Sequence, residues 1–172
     1  GSYSGGKLSI QRFAATGRNG VFVAKGLIDI DTTRMDLKLD GNGVKLAEFS
    51  PEIKGTGLFR LEITGTPSKP VATGRAEIIG ADVMGYSIPF AGGTVRWDAN
   101  GVMVRDLIAV KGATTAKGYV SWNSRDLQLD GEVSITDVIL SDWLGDGVSG
   151  SLGVRRASLR GTIESPIISA RG

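Results

Sequence analysis

Two stretches of the chain are copies of one another. Residues 57–75 read GLFRLEITGTPSKPVATGR and residues 153–171 read GVRRASLRGTIESPIISAR, an offset of 96 residues. Six of nineteen positions are identical, among them Gly65/Gly161, Thr66/Thr162 and Pro70/Pro166. A second pair, DLKLDG at 36–41 and DLQLDG at 126–131, recurs at an offset of 90. A chain that restates one supersecondary unit builds an array, in which each unit buries its apolar face against the next. The expected organisation is one elongated body of two similar repeats, about 20–76 and 112–172, joined by 77–111.

The repeated unit alternates with a period of two. In MDLKLDG, Met35, Leu37 and Leu39 fall on one face and Asp36, Lys38 and Asp40 on the other. FRLEI at 59–63, TVRWD at 94–98, VMVRD at 102–106 and LQLDGEVSI at 127–135 behave alike. Such alternation marks strands with one apolar and one wet face, as antiparallel sheets have. About twelve strands are expected, punctuated by turn signals at GRNG (17–20), DGNG (40–43), AGG (91–93) and DANG (98–101). Two segments break the pattern. TDVILSDWL at 136–144 and AEFSPEI at 47–53 are expected to form short helical turns, with Asp137 as a cap and Pro51 in a first turn.

Composition removes whole classes of chemistry. Among 172 residues there is no Cys and no His. That excludes disulfides, thiolate nucleophiles, zinc-thiolate sites and the commonest general base. Ser and Thr abound without a motif that partners them to a base, so no catalytic residue and no enzyme is expected. The acidic groups of DIDTTRMD (29–36) lack the glycine turn of a calcium loop, and no metal or cofactor is expected. The net charge of +2 does not indicate nucleic acid. Arg155, Arg156, Arg160 and Arg171 form a modest basic cluster, suited to lipid headgroups or to keeping a strand edge soluble.

A sheet apolar on one side must hide that side under a second sheet, under helices, or by bending on itself. One short helical turn per repeat covers too little. This leaves an all-β open groove with an apolar concave face, or a closed β-sandwich. An open groove exposes a continuous aliphatic strip of the kind that marks binding surfaces. Each methylene it removes from water is worth about 0.8 kcal/mol. The candidate lining, about one residue per strand, is Val23, Ile30, Leu37, Leu39, Phe59, Leu61, Ile63, Ile78, Ile88, Phe90, Val95, Trp97, Val104, Val120, Trp122, Leu129, Val133 and Leu159. In a sandwich the same residues would be sealed core, and the chain a structural scaffold module that binds protein partners. Trp97 and Trp122 suit either core positions or a groove rim.

The order of motifs carries a resemblance. GTPSKPVATGRAEI (65–78), GGTVRWDANGVMVRDLIAVKG (92–112), GYVSW (118–122) and DLQLDGEVSITDVILSDWL (126–144) lead into GTIESPIISARG (161–172), where the cycle restarts. This order resembles the AsmA-like superfamily, and within it the TamB family, over essentially the whole chain. The resemblance implies a taco-shaped sheet in a periplasmic protein anchored in the inner membrane. It also implies shielding of phospholipid acyl chains between the two membranes and outer-membrane protein assembly with a TamA-like partner, through regions outside this chain. Gly1-Ser2 resembles a cloning remnant, and the chain is expected to be a section of a longer envelope protein. Its terminal strands, near 7–13 and 163–170, are expected to associate edge to edge.

Overall fold

The computed structural model describes residues 1–48, 53–83, 86–139, 141, 149–162 and 164–171. The first half of the chain forms β1 (Ser2–Ser4), β2 (Lys7–Gly17), β3 (Gly20–Asp29), β4 (Arg34–Lys45), β5 (Ile53–Thr66) and β6 (Lys69–Val83). The second half forms β7 (Tyr86–Asp98), β8 (Gly101–Lys111), β9 (Thr114–Asn123), β10 (Gln128–Ile139), β11 (Ser151–Thr162) and β12 (Pro166–Arg171). All twelve lie in one sheet, in sequence order, each antiparallel to its neighbours. β1 and β12 do not meet, so the sheet is open and not a barrel. At roughly 4.8 Å per strand it runs about 50 Å from edge to edge.

Accessible surface separates the groove from the sandwich. A compact protein of 18.0 kDa exposes roughly 8,000 Å², whereas this chain exposes 11374 Å². Among the described residues only Val44, Ala72, Ala81 and Ala157 are fully buried apolar chains. Close packing runs between sequence neighbours, not between layers. The fold is therefore the curved open sheet, and the closed sandwich is discarded.

The repeat is visible as geometry. Gly65 and Gly161 begin the β5–β6 and β11–β12 hairpin turns, with φ of 95° and 96°. A Cβ on either would lie 2.5 Å from the carbonyl oxygen of the residue before the proline, Lys69 or Ser165. Only glycine fits both the conformation and the space. Each glycine pairs across the hairpin with its proline, Pro70 or Pro166. One repeat is thus six strands.

Several turn assignments need correction. GRNG and DANG are hairpin turns, between β2 and β3 and between β7 and β8. DGNG lies inside β4, where Asn42 and Gly43 together face Leu58 of β5 as a bulge. AGG lies inside β7, where Gly93 faces two residues of β8, Asp106 and Leu107, as a second bulge. Asp106 takes a left-handed φ of 50° there. Bulges bend the strands that carry them. These two fall at one level across the sheet and mark a crease. The helical reading of 136–144 also fails in its first half, because β10 runs on to Ile139; Ser141 is helical, and Leu140 and 142–144 lie outside the described residues. In the other segment a 3-10 turn spans Leu46–Glu48 and Ile53 opens β5, while 49–52, Pro51 included, lie outside the described residues.

Candidate lipid groove

Directly opposed residues in an antiparallel ladder share a face, so the register assigns each side chain to one side. One row crosses the sheet through Ile10, Gly26, Leu37, Ile63, Ala72, Trp97, Val102, Trp122 and Leu129. The next, two residues along each strand, passes through Ala24, Leu39, Leu61, Gly74, Val95, Val104, Val120, Gly131 and Leu159. A third begins Phe22, Gly41, Phe59, Ala76, Gly93 at the crease. None of these three rows carries a charge. Most of their side chains are half-buried although no second layer among the described residues covers them. Neighbours within the face supply this shielding, and on the curved open sheet this apolar side is the concave one.

Beyond the crease the apolar face continues through Val44, Gly57, Ile78, Ala91, Ala109 and Ala116. In the crease row large and small residues alternate, as Phe22, Gly41, Phe59 and Ala76. Phe59 lies over Gly41, with its Cζ 2.3 Å from where a Cβ would stand. The Phe22 and Phe59 rings sit 6.1 Å apart at 51°. At the crease the concave floor is therefore an aromatic ring laid over a glycine.

The opposite face is wet. Arg60 pairs with Asp40 at 2.9 Å, Lys38 with Glu62 at 3.2 Å, Arg75 with Glu77 at 3.1 Å and Arg96 with Asp98 at 3.1 Å, and Arg156 pairs with Glu132. These pairs are solvent-exposed and contribute little stability individually. Their effect is on which side of the sheet faces water. Asp130 beside Tyr119 raises that phenol above its ordinary range, and Glu132 raises the Arg156 guanidinium. The predicted basic cluster is partly neutralised. Arg156 and Arg171 are direct partners across β11 and β12, Arg156 is held by Glu132, and the side chain of Arg155 lies outside the described residues. Among the described residues no cluster of metal-ligating side chains occurs.

Of the predicted lining, Leu37, Leu39, Phe59, Leu61, Ile63, Ile78, Val95, Trp97, Val104, Val120, Trp122, Leu129, Val133 and Leu159 share the concave face. Val23 does not: it stands opposite Asp40 on the polar side. Ile30 is in the turn after β3 and is exposed. Phe90 projects on the polar side, where its Cζ and the Cγ of Glu77 both approach Gly92. Ile88 faces Ala81 past the irregularity at Gly80. Sequence reasoning missed Phe22, Ala24, Val102 and Ala72, which complete the rows. It also missed an apolar patch on the polar face beyond the crease, formed by Leu58, Ile79, Phe90, Ile108 and Val110. The recesses on that polar face are shallow; one lies between Val21, Val23, Leu58 and the Arg60–Asp40 pair.

The two tryptophans lie in the rim row. Trp97 is followed by the Asp98–Gly101 turn and is 45% exposed. Trp122 stands across Val102 from it, and its indole Nε1 is buried without an acceptor among the described residues. No protein-family model, curated protein or solved structure matches the chain.

Proposed function

We propose that the chain is a length of non-enzymatic, lipid-shielding groove, holding phospholipid acyl chains along its concave face. The observation that carries this reading is a continuous apolar face, its rows charge-free from β2 to β11, on a sheet with no second layer among the described residues. Water contact with such a face is costly. An acyl chain relieves that cost without needing specific hydrogen bonds. The rows offer methyl groups and rings at successive strands and no fixed polar register, so a bound chain is free to slide across strands. The order of sequence motifs supports a place among AsmA-like, TamB-type proteins. On that reading the groove works in the periplasm, in a protein anchored in the inner membrane, for phospholipid transport between membranes and outer-membrane protein assembly with a TamA-like partner.

Photo-crosslinking residues at Leu37, Leu61 and Val104, all on the concave face, test the proposal. Glu62 and Arg105, on the polar side, serve as controls. Phospholipid adducts are expected at the first three positions and not at the controls, and purified protein is expected to carry lipid by mass spectrometry. Lipid-free protein, or equal labelling of both faces, sinks the reading.

A further inference from the structure

The two rims of the groove differ, and the difference assigns an orientation to its occupant. At one end of the strands, the row through Trp97, Val102 and Trp122 is the last apolar row before the β7–β8 and β9–β10 turns. Those turns present Asp98, Asn100 and Asn123 immediately outside it. One row inward the same strands present Val95, Val104 and Val120, which have no polar side-chain atom. Polarity therefore changes from charged to wholly aliphatic within about four residues along each strand. Two indoles stand at the changeover. Among the described residues the opposite end has no tryptophan.

Indole has an apolar body and one N–H donor, so it is suited to a boundary between hydrocarbon and water. Trp97 meets this description directly, being about half exposed. Trp122 adds a second, independent observation. Its Nε1 is buried and has no acceptor among the described residues, a state that costs free energy until a partner arrives. Its neighbours in the row, Val102 and Leu129, have no side-chain acceptor to give. The missing acceptor must come from outside the row.

Resting on the groove reading above, we propose that a bound phospholipid lies with its ester and glycerol region at the Trp97 and Trp122 rim. Its headgroup sits over the hairpin turns, and its acyl chains run inward past Val95, Val104 and Val120 toward the crease. An ester carbonyl is the acceptor for Trp122, reached by a small rotation of the indole.

Tryptophan emission reads this orientation. The native chain is loaded with phosphatidylcholine carrying bromine either close to the ester or close to the acyl methyl end, and free vesicles are removed. Quenching is expected to be severalfold stronger with the ester-proximal bromines. Trp97→Phe and Trp122→Phe are each expected to remove part of that difference, which identifies the quenched rings and separates them from Trp143. Equal quenching by the two lipids, or stronger quenching by the methyl-end bromines, overturns the orientation and leaves the groove standing. The orientation is also overturned if loaded lipid is found by mass spectrometry but neither lipid quenches. If no lipid loads at all, the groove reading fails and the orientation with it.

Discussion

Gly41 shapes the groove floor by lacking a side chain. The Phe59 ring occupies the space its Cβ would need, and Phe22 packs against that ring. Gly41→Val should push Phe59 off the floor and destabilise the sheet by about 1–3 kcal/mol, the usual cost of overpacking. The shift should appear in the urea midpoint, and Phe59→Leu in the same chain should recover part of it. An unchanged midpoint in Gly41→Val would mean that the ring does not lie there. The sequence around this spot also shows what can be read in advance. Leu37, Leu39, Leu61 and Ile63 were assignable because charged Asp36, Lys38 and Glu62 separate them and fix the parity. The run Val21-Phe22-Val23-Ala24 has no polar residue to fix it. Both faces of β3 look alike there, and only the register shows that Phe22 faces inward and Val23 outward. Phe90 was unreadable for the same reason, because Ile88-Pro89-Phe90-Ala91 is apolar throughout.

The β7–β8 hairpin depends on one carboxylate. Asp98 accepts the Asn100 amide at 2.8 Å and the Arg96 guanidinium at 3.2 Å. The Asn100 amide, with Arg96 adding to it, holds this acid below its ordinary value of 3.8. A folded-state pKa lowered in this way contributes stability above the unfolded value, and that contribution is lost as pH falls through the folded one. The Asn100 amide shift should therefore titrate with a midpoint below 3.8, and Asp98→Asn should abolish the titration. A midpoint at or above 3.8 would contradict the bond. Elements of this kind were legible where glycine followed Asp and Asn between two alternating runs. The glycines at 40–43 and 91–93 misled, because turns and bulges both recruit glycine. Local chemistry does not say whether the chain reverses or only bends. That is decided by the partner strand, in this case by Leu58 facing two residues of β4 and by Gly93 of β7 facing two residues of β8, Asp106 and Leu107. Without the partner strands, the crease that makes the sheet a groove could not be foreseen.

For the whole molecule, the consequence of an open sheet is two free edges. β1 covers only Lys7, Leu8 and Ser9 of the eleven-residue β2. At the far end, β12 is exposed along its length, with Ile167 at 63% and Ile168 at 71%. Ile168 is opposite Leu159 on the concave face, and Ile167 is opposite Arg160 on the polar face. Free backbone donors and acceptors beside exposed isoleucines are a template for another strand. The most economical second strand is the uncovered part of β2 in another copy. Pairing β12 to β2 joins unlike edges, which makes an open-ended contact rather than a closed dimer. In the register that keeps apolar faces together, it would also carry the groove from one copy into the next, as the six-strand repeat already does within the chain. Sedimentation should therefore show association that grows with concentration and does not stop at two copies. Ile168→Lys puts a charge on the concave side of the edge strand and should shift the protein toward monomer, with the sheet signal in circular dichroism retained. Strictly monomeric native protein at high concentration would refute edge pairing. Association that stops at dimers would refute the unlike-edge geometry and point to β12 meeting β12, because only like edges close on themselves.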